Sequence, residues 1–390
     1  MENLEDLIRE IEDNDPHYAE LANSPVIQFG TEREPFRFAQ LLPERLVNEN
    51  AYREKFIRMI EAPPALDGTR YGPTQMQKGG IQYADFLVEL GYTDTGDYLV
   101  GRELDALYKL LETSNGTPEA IASVTRWIDL NLVRPHLRKN EIQRRDAMLL
   151  GTVTRKISDE HSETITYYTP SGFRPEVAGG TVASPAGLFA TSTATDPWDN
   201  ILAARDLLGA KGKRVVGMWC TSAFLTDLGK NPSMKLRANH VTVNASGQIQ
   251  GYSRRVKYAE LSELAQEDGL PPFTVVDEGY PLRTNNMFQR YMEPTTDRHY
   301  LLMVGSTDNA ITIDGLVQDN DSSDLIELEV MGYYGIGTNA AQSAPGRTLH
   351  TWVEEKKPRG LGGESYQAGL PVIQEPESFV VIEWLKPTES

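Results

Sequence analysis

The chain has 390 residues, with 38 Lys and Arg against 56 Asp and Glu, a formal net charge of −18. An isoelectric point near 4.9 argues against a nucleic-acid-binding surface as the main function, because such surfaces present a basic stripe. A hydrophobic share of 39% and a mean hydropathy of −0.42 exclude global disorder and describe a soluble chain with room for two domains, or one large domain with extensions. The acidic start, MENLEDLIREIEDND, has no uninterrupted apolar core and does not read as a signal peptide, and no run reaches membrane-spanning length. A reducing cytoplasm is the expected site of synthesis. The single cysteine, Cys220, forms no intramolecular disulfide and lies in the apolar run VVGMWC, which points to a buried structural thiol.

Leu4, Leu7, Ile8 and Ile11 recur at helical spacing with acids opposite, and Asn14, Asp15 and Pro16 end that helix. Such a helix either docks on a partner or packs on its own domain. Residues 23–60 read as a polar connector, in which 45–60 are predicted mostly helical from the partial stripe Leu46, Tyr52, Phe56, Ile60. Residues 61–98 are rich in Gly and Pro and hold few apolar residues apart from 84–90. They read as an extended arm that could pair as two long strands around Gly68–Gly80. An arm of this composition beside dense helices buries too little surface in one molecule, and makes physical sense laid on a neighbouring copy.

Leu104, Leu107, Leu110 and Leu111 stripe a helix over 101–113. Thr117 caps a second, with Pro118 at its first position, and Pro135 should kink or divide it near Asn131 before it resumes to 150. Residues 153–158 and 163–169 are predicted as a hairpin, followed by a Gly/Pro-rich loop to 187. Asp196 caps a helix to 208. Residues 214–221 read as a buried strand and 222–228 as a short helix. Strands are predicted at 273–276, 300–304, 325–332 and 378–385. The strand–helix alternation implies a mixed layer of helices on a sheet.

Nothing local supports catalysis. The six histidines are scattered and form no HxxxH, HExxH or HxH pattern. The turn GAKGKR at 209–214 fits neither phosphate-cradling pattern and precedes a strand rather than a helix, and GYYGIG at 332–337 lacks the context as well. Asp319, Asp321 and Asp324 lack the glycine and glutamate spacing of a calcium loop. Arg134, His136, Arg138, Lys139, Arg144 and Arg145 form one basic concentration, read as inter-subunit or intrachain ion pairs, with Asp129, Glu141 and Asp146 as intrachain partners. No catalytic, cofactor or metal residue is assigned, and the chain is not read as an enzyme.

The order of these elements resembles the HK97-like fold of tailed-phage major capsid proteins, with the lambda-type major capsid protein E family as the nearest branch. The segments carrying the resemblance are DGTRYGPTQMQKGG, the helices over 101–150, DPWDNILAARDLLGAKGKRVVGMWCTSAFLTDLGKNPSMK, FTVVDEGYPL and PESFVVIEWLKP. It implies an α+β capsid fold with an N-terminal arm at 1–60 and an extended β loop at 61–100. Beyond these it implies a peripheral domain with a long spine helix at 101–195, an axial domain at 196–340, and a return to the peripheral domain at 341–390. It further implies pentamers and hexamers closing into an icosahedral shell around double-stranded DNA, contacted non-specifically. A separate scaffolding protein, a portal and a decoration protein are implied partners, with residues 2–13 a candidate scaffold contact. Assembly would take place in the host cytoplasm, with the virion as destination and no membrane contact. Inter-subunit contact candidates are Arg70, Tyr71, Lys78, Arg134, Arg138, Arg144 and Arg145. Lys78 sits where some members crosslink covalently to an asparagine, but no asparagine partner stands out. Competing readings are an encapsulin-type compartment of the same fold, a β-rich hydrolase using two carboxylates, and a tail or decoration protein.

Overall fold

A computed structural model describes residues 4–14, 30–31, 34–60, 80–112, 117–156, 162–170, 173–174, 196–238, 241–243, 249–252, 254–282, 288–307, 310–313, 326–339, 342–354 and 359–386. Helices and strands are mixed, and two sheets organise the body. In the first, Gly360–Ile373 is the central strand. Gly91–Val100 runs antiparallel along one edge of it, and the other edge is shared end to end by Thr348–Glu354 and Gly332–Asn339. Glu44–Leu46 adds a parallel strand beside Gly332–Asn339. In the second, the order is Phe273–Val275, Val215–Cys220, Arg298–Gly305, Phe379–Leu385; the first pair is parallel and the others antiparallel. The last strand, Phe379–Leu385, thus sits in the sheet of Val215–Cys220 rather than with Gly360–Ile373.

The helix of residues 117–150 crosses one face of the first sheet. Pro135 has no N–H and its ring crowds the carbonyl four residues back. The backbone meets this with a π-helical turn over Asp129–Val133, directly ahead of the α-helical stretch Arg134–Arg145, and a second π turn ends the helix over Asp146–Leu150. Gly151 stops it in the left-handed conformation at φ 71°. Leu132, Val133, Leu137 and Met148 are buried, in one cluster with Leu7 and Ile11 of the N-terminal helix Leu4–Asn14. That helix packs on its own chain, with Asp6 and Asp13 exposed on the outer side.

Helices cover the second sheet on one face. Asp196 caps Pro197–Ala210 by accepting the Trp198 N–H at 3.0 Å. Thr221 caps Ser222–Lys230, and Asn231 caps Pro232–Arg237, with Pro232 at the first position. Trp198, Ile201, Phe224, Leu228 and Leu261 pack on Met218, Cys220, Leu301, Met303 and Trp384. Cys220 is buried, and burial pushes its thiol up.

Three sequence readings change. Residues 51–60 are not helical: Ala51–Ile60 is a strand, paired antiparallel with Gly80–Glu89 in the register Ala51↔Glu89 to Ile60↔Gly80. Residues 91–100 do not belong to the arm but form a ten-residue strand of the first sheet. The single strand predicted at 325–332 is instead two, Ile326–Glu329 and Gly332–Asn339, the second holding the glycine-rich run. The turn proposed around Gly68–Gly80 lies outside the described residues up to Gly80, which begins a strand; residues 15–29 and the acidic turn 317–325 lie outside them as well. Elsewhere the hairpin of Thr152–Lys156 with Ser162–Thr166, the capped helix after Asp196 and the strands near 215, 273, 300 and 379 stand where the sequence puts them.

Candidate assembly interface

The described elements hold two features suited to binding another chain. The first is the hairpin Ala51–Ile60 with Gly80–Glu89. No further strand pairs with it among the described residues. Its register puts Tyr52, Phe56 and Ile60 opposite Val88, Ala84 and Gly80, and Ile57 and Met59 opposite Tyr83 and Ile81. Apolar residues therefore fall at both parities, so both faces of a two-stranded ribbon call for cover. The body anchors the ribbon at its root: Val88 and Leu90 are buried with Tyr333, Ala368 and Leu370, and Arg155 bonds the Glu89 carbonyl at 2.8 Å.

The second feature is the outer face of the first sheet. Odd-numbered residues of Gly91–Val100 turn to the long helix. Thr93 meets His136 Nδ1 at 3.0 Å, Thr95 meets the Asn131 carbonyl at 3.5 Å, and Asp97 accepts from Trp127 Nε1 at 3.0 Å. The even-numbered ones turn away. Tyr92, Tyr98 and Val100 are 60%, 52% and 43% exposed. In register with them, Trp352 lies on Gly362, where a Cβ would come within 2.4 Å of the indole. Tyr98 meets that ring edge-on at 5.6 Å and His350 stacks on it at 5.5 Å. Asp94, Glu354 and Glu364 share this parity, and Tyr366 donates to Glu364. The far end of the same face is covered by Val153, Ile165 and Tyr167. An aromatic, acid-flanked patch is thus left open at the near end, and contiguous exposed apolar surface of this kind marks binding faces.

A buried polar network fixes residues 36–47, which lead into the hairpin, to the long helix. Glu141 accepts the Phe38 N–H at 2.7 Å; Arg144 Nε donates to the Leu42 carbonyl at 2.8 Å and its guanidinium lies over the Tyr334 ring. Glu44 receives Asn140 at 3.0 Å and both Arg347 bonds at 2.8 and 2.9 Å. Burial raises the Glu44 carboxyl, yet Arg347 and Arg144 together hold it below its ordinary value. His136 is buried, with Nε2 on the Ser365 carbonyl and its pKa pushed down to about 4 by desolvation, so it is neutral.

Of the seven candidates named from sequence, Arg70, Tyr71 and Lys78 lie outside the described residues. Arg134 is half-buried and paired with Asp129 at 3.0 Å. Arg138 is half-buried. Two candidates are corrected. Arg144, 1% exposed, and Arg145, which pairs with Asp146 at 2.5 Å, are spent inside the subunit, because charges this deep need partners in their own core. Sequence reasoning missed Glu44, Arg347 and the Tyr98–Trp352 pair. Glu44 and Arg347 are 303 residues apart, so no local pattern joins them; alternation of Tyr92, Tyr98 and Trp352 on strands is the one signal for the patch. Among the described residues, no group of three His, Cys, Asp or Glu is placed to hold a metal, and no helix is long and apolar enough to cross a membrane.

No protein-family model matches the chain, and no curated protein matches it. Solved structures do. A capsid protein of an Escherichia coli CFT073 prophage is similar at 11% identity and a TM-score of 0.49, over 97% of this chain and 98% of that one. A phage-related protein of Bordetella bronchiseptica RB50 is similar at 10% identity and a TM-score of 0.43, over 88% and 90%. The capsid of the Myoviridae phage XM1 is similar at 10% identity and a TM-score of 0.42, over 93% and 97%.

Proposed function

We propose that the chain is a structural subunit of a shell, the major capsid protein of a tailed phage with an HK97-like fold. Copies would close as pentamers and hexamers into an icosahedral head around double-stranded DNA. The observation that carries this reading is the hairpin Ala51–Ile60 with Gly80–Glu89: a ribbon with apolar residues at both parities and, among the described residues, no further strand paired with it. A lone two-stranded ribbon is marginal in water. A second copy supplies what it lacks.

The open aromatic patch of Tyr98, His350 and Trp352 is the matching acceptor. The strand Ala51–Ile60 contains Arg53, Lys55 and Arg58, and the patch contains Asp94, Glu354 and Glu364. Arginine and lysine bind both carboxylates and aromatic faces. Because one surface donates and a different one accepts, the contact is heterologous and closes a ring when the rotation allows. A scaffolding protein, a portal and a decoration protein would be separate chains, and Asp6 and Asp13 on the outer side of the N-terminal helix suit a basic scaffold segment. Arg134 and Arg138 are proposed rim contacts, and Arg70, Tyr71 and Lys78 arm contacts.

Deletion of residues 66–82 tests this. The chain produced with its neighbouring genes should form closed shells under negative stain, whereas the deletion variant should stay folded by circular dichroism and form none. A deletion that unfolds the subunit, or an intact chain that forms no shells, overturns the reading.

A further inference from the structure

We propose that Glu141 is a proton-sensitive latch that fastens residues 36–47, and with them the root of the hairpin, to the long helix. The geometry is specific. Residues 36–47 run across the helix and continue into Ala51–Ile60. Their main chain is held by Glu141 at Phe38, by Arg144 at Leu42, and by Met331 and Tyr334, whose N–H groups bond the Leu41 and Pro43 carbonyls at 2.9 and 2.7 Å. Glu141 is wholly buried. Its Oε1 takes the Phe38 N–H at 2.7 Å and the Ala39 N–H also favours the carboxylate, while Oε2 stands 3.6 Å from Arg144, beyond a close hydrogen bond.

The charges facing it are limited. On its own helix the charge that acts on it is Arg144. From residues 36–47 there is Glu44, from Gly332–Asn339 Tyr334, and from the turn before Thr348–Glu354 Arg347. Arg347 is committed to Glu44 by two hydrogen bonds and Arg144 is shared between Glu44 and Glu141. Two carboxylates thus compete for two cations, and Glu44 has the better share. Desolvation pushes the Glu141 carboxyl up to about 7, against the pull of Arg144 and the Phe38 N–H.

The sign follows from linkage. A carboxyl whose folded pKa exceeds its unfolded one binds more protons when closed, so the closed form loses stability as pH rises from about 4.5 to about 7, and no further above that. The latch is firm in mild acid and weakest above neutrality. This holds whether or not the chain forms shells; in a shell, it would make the set of the hairpin responsive to pH.

Hydrogen exchange at residues 38–47, corrected for the intrinsic rate, should show opening increase about thirtyfold between pH 5.5 and pH 8. Glu141→Gln should abolish that dependence while retaining the amide acceptor for Phe38. The carboxyl carbon of Glu141, followed by NMR in the unaltered protein, should titrate near neutrality. A pH-independent exchange profile, a dependence that survives Glu141→Gln, or a carboxyl that titrates near 4.5 overturns the latch. The NMR arm decides even where the variant fails to fold.

Discussion

Single residues carry more of this fold than their hydropathy suggests. Glu44 and Arg347 are a buried pair joined by two bonds under 3 Å, with Asn140 and Gln367 completing the shell. Removing one partner of such a pair costs about 3–5 kcal/mol, because it strands a charge out of water. Arg347→Met should therefore lower unfolding stability by about 3 kcal/mol, with Arg144 moderating the loss. Adding Glu44→Gln should recover part of it. A denaturant titration of the two single variants and the double one checks this; simple additivity would mean that the pair is not coupled. Gly151 is the second case. Its φ of 71° is hostile to a side chain, and an added Cβ would lie 2.2 Å from the Arg174 guanidinium, which caps the helix end through the Ala147 carbonyl. Gly151→Ala should cost roughly 1–2 kcal/mol from the backbone alone, read as a lower thermal midpoint.

Elements explain which parts of the fold were legible. Capped, strongly patterned segments were: Asp196, Thr221 and Asn231 announce their helices, and FVVIEWL announces a strand. The misread segment 45–60 has a simple cause. Tyr52, Phe56 and Ile60 are four apart, and a spacing of four keeps residues on one face of a helix and of a strand alike. The pairing with Gly80–Glu89, more than twenty residues on, decides between them. Gly91–Val100 was hidden for another reason. Thr93, Thr95 and Asp97 turn towards the long helix and are satisfied there by hydrogen bonds, so Leu99 is the one large apolar residue on the inner face of the strand. The glycines of GYYGIG allow close packing: a Cβ at Gly337 would collide with Leu90 and Asn50 at 2.4 Å. The candidate interface was partly legible. The strand Gly80–Glu89 lies in the segment read by composition as an extended arm, whereas its partner Ala51–Ile60 was read as helix and the proposed acceptor needs strands from both ends of the chain.

At the scale of the whole molecule, charge and shape oppose one another. Copies of a chain of net charge −18 repel one another, so in the proposed shell association would have to come from apolar contact and from local pairing of the cations at Arg53, Lys55 and Arg58 with the acid-flanked patch. Screening acts on these two terms differently. The repulsion is spread over the whole surface and acts through solvent, so it weakens as the Debye length falls from about 30 Å at 0.01 M salt to about 8 Å at 0.15 M. Contacts buried between subunits are screened less. Moving from low to moderate salt should therefore speed association, measured by light scattering at fixed protein concentration, and should leave the unfolding midpoint of the isolated subunit nearly unchanged. If association slowed instead, short-range ion pairs would outweigh the global repulsion. If its rate did not change, charge would not be the brake on assembly, and the fit of ribbon to patch would have to set the rate alone.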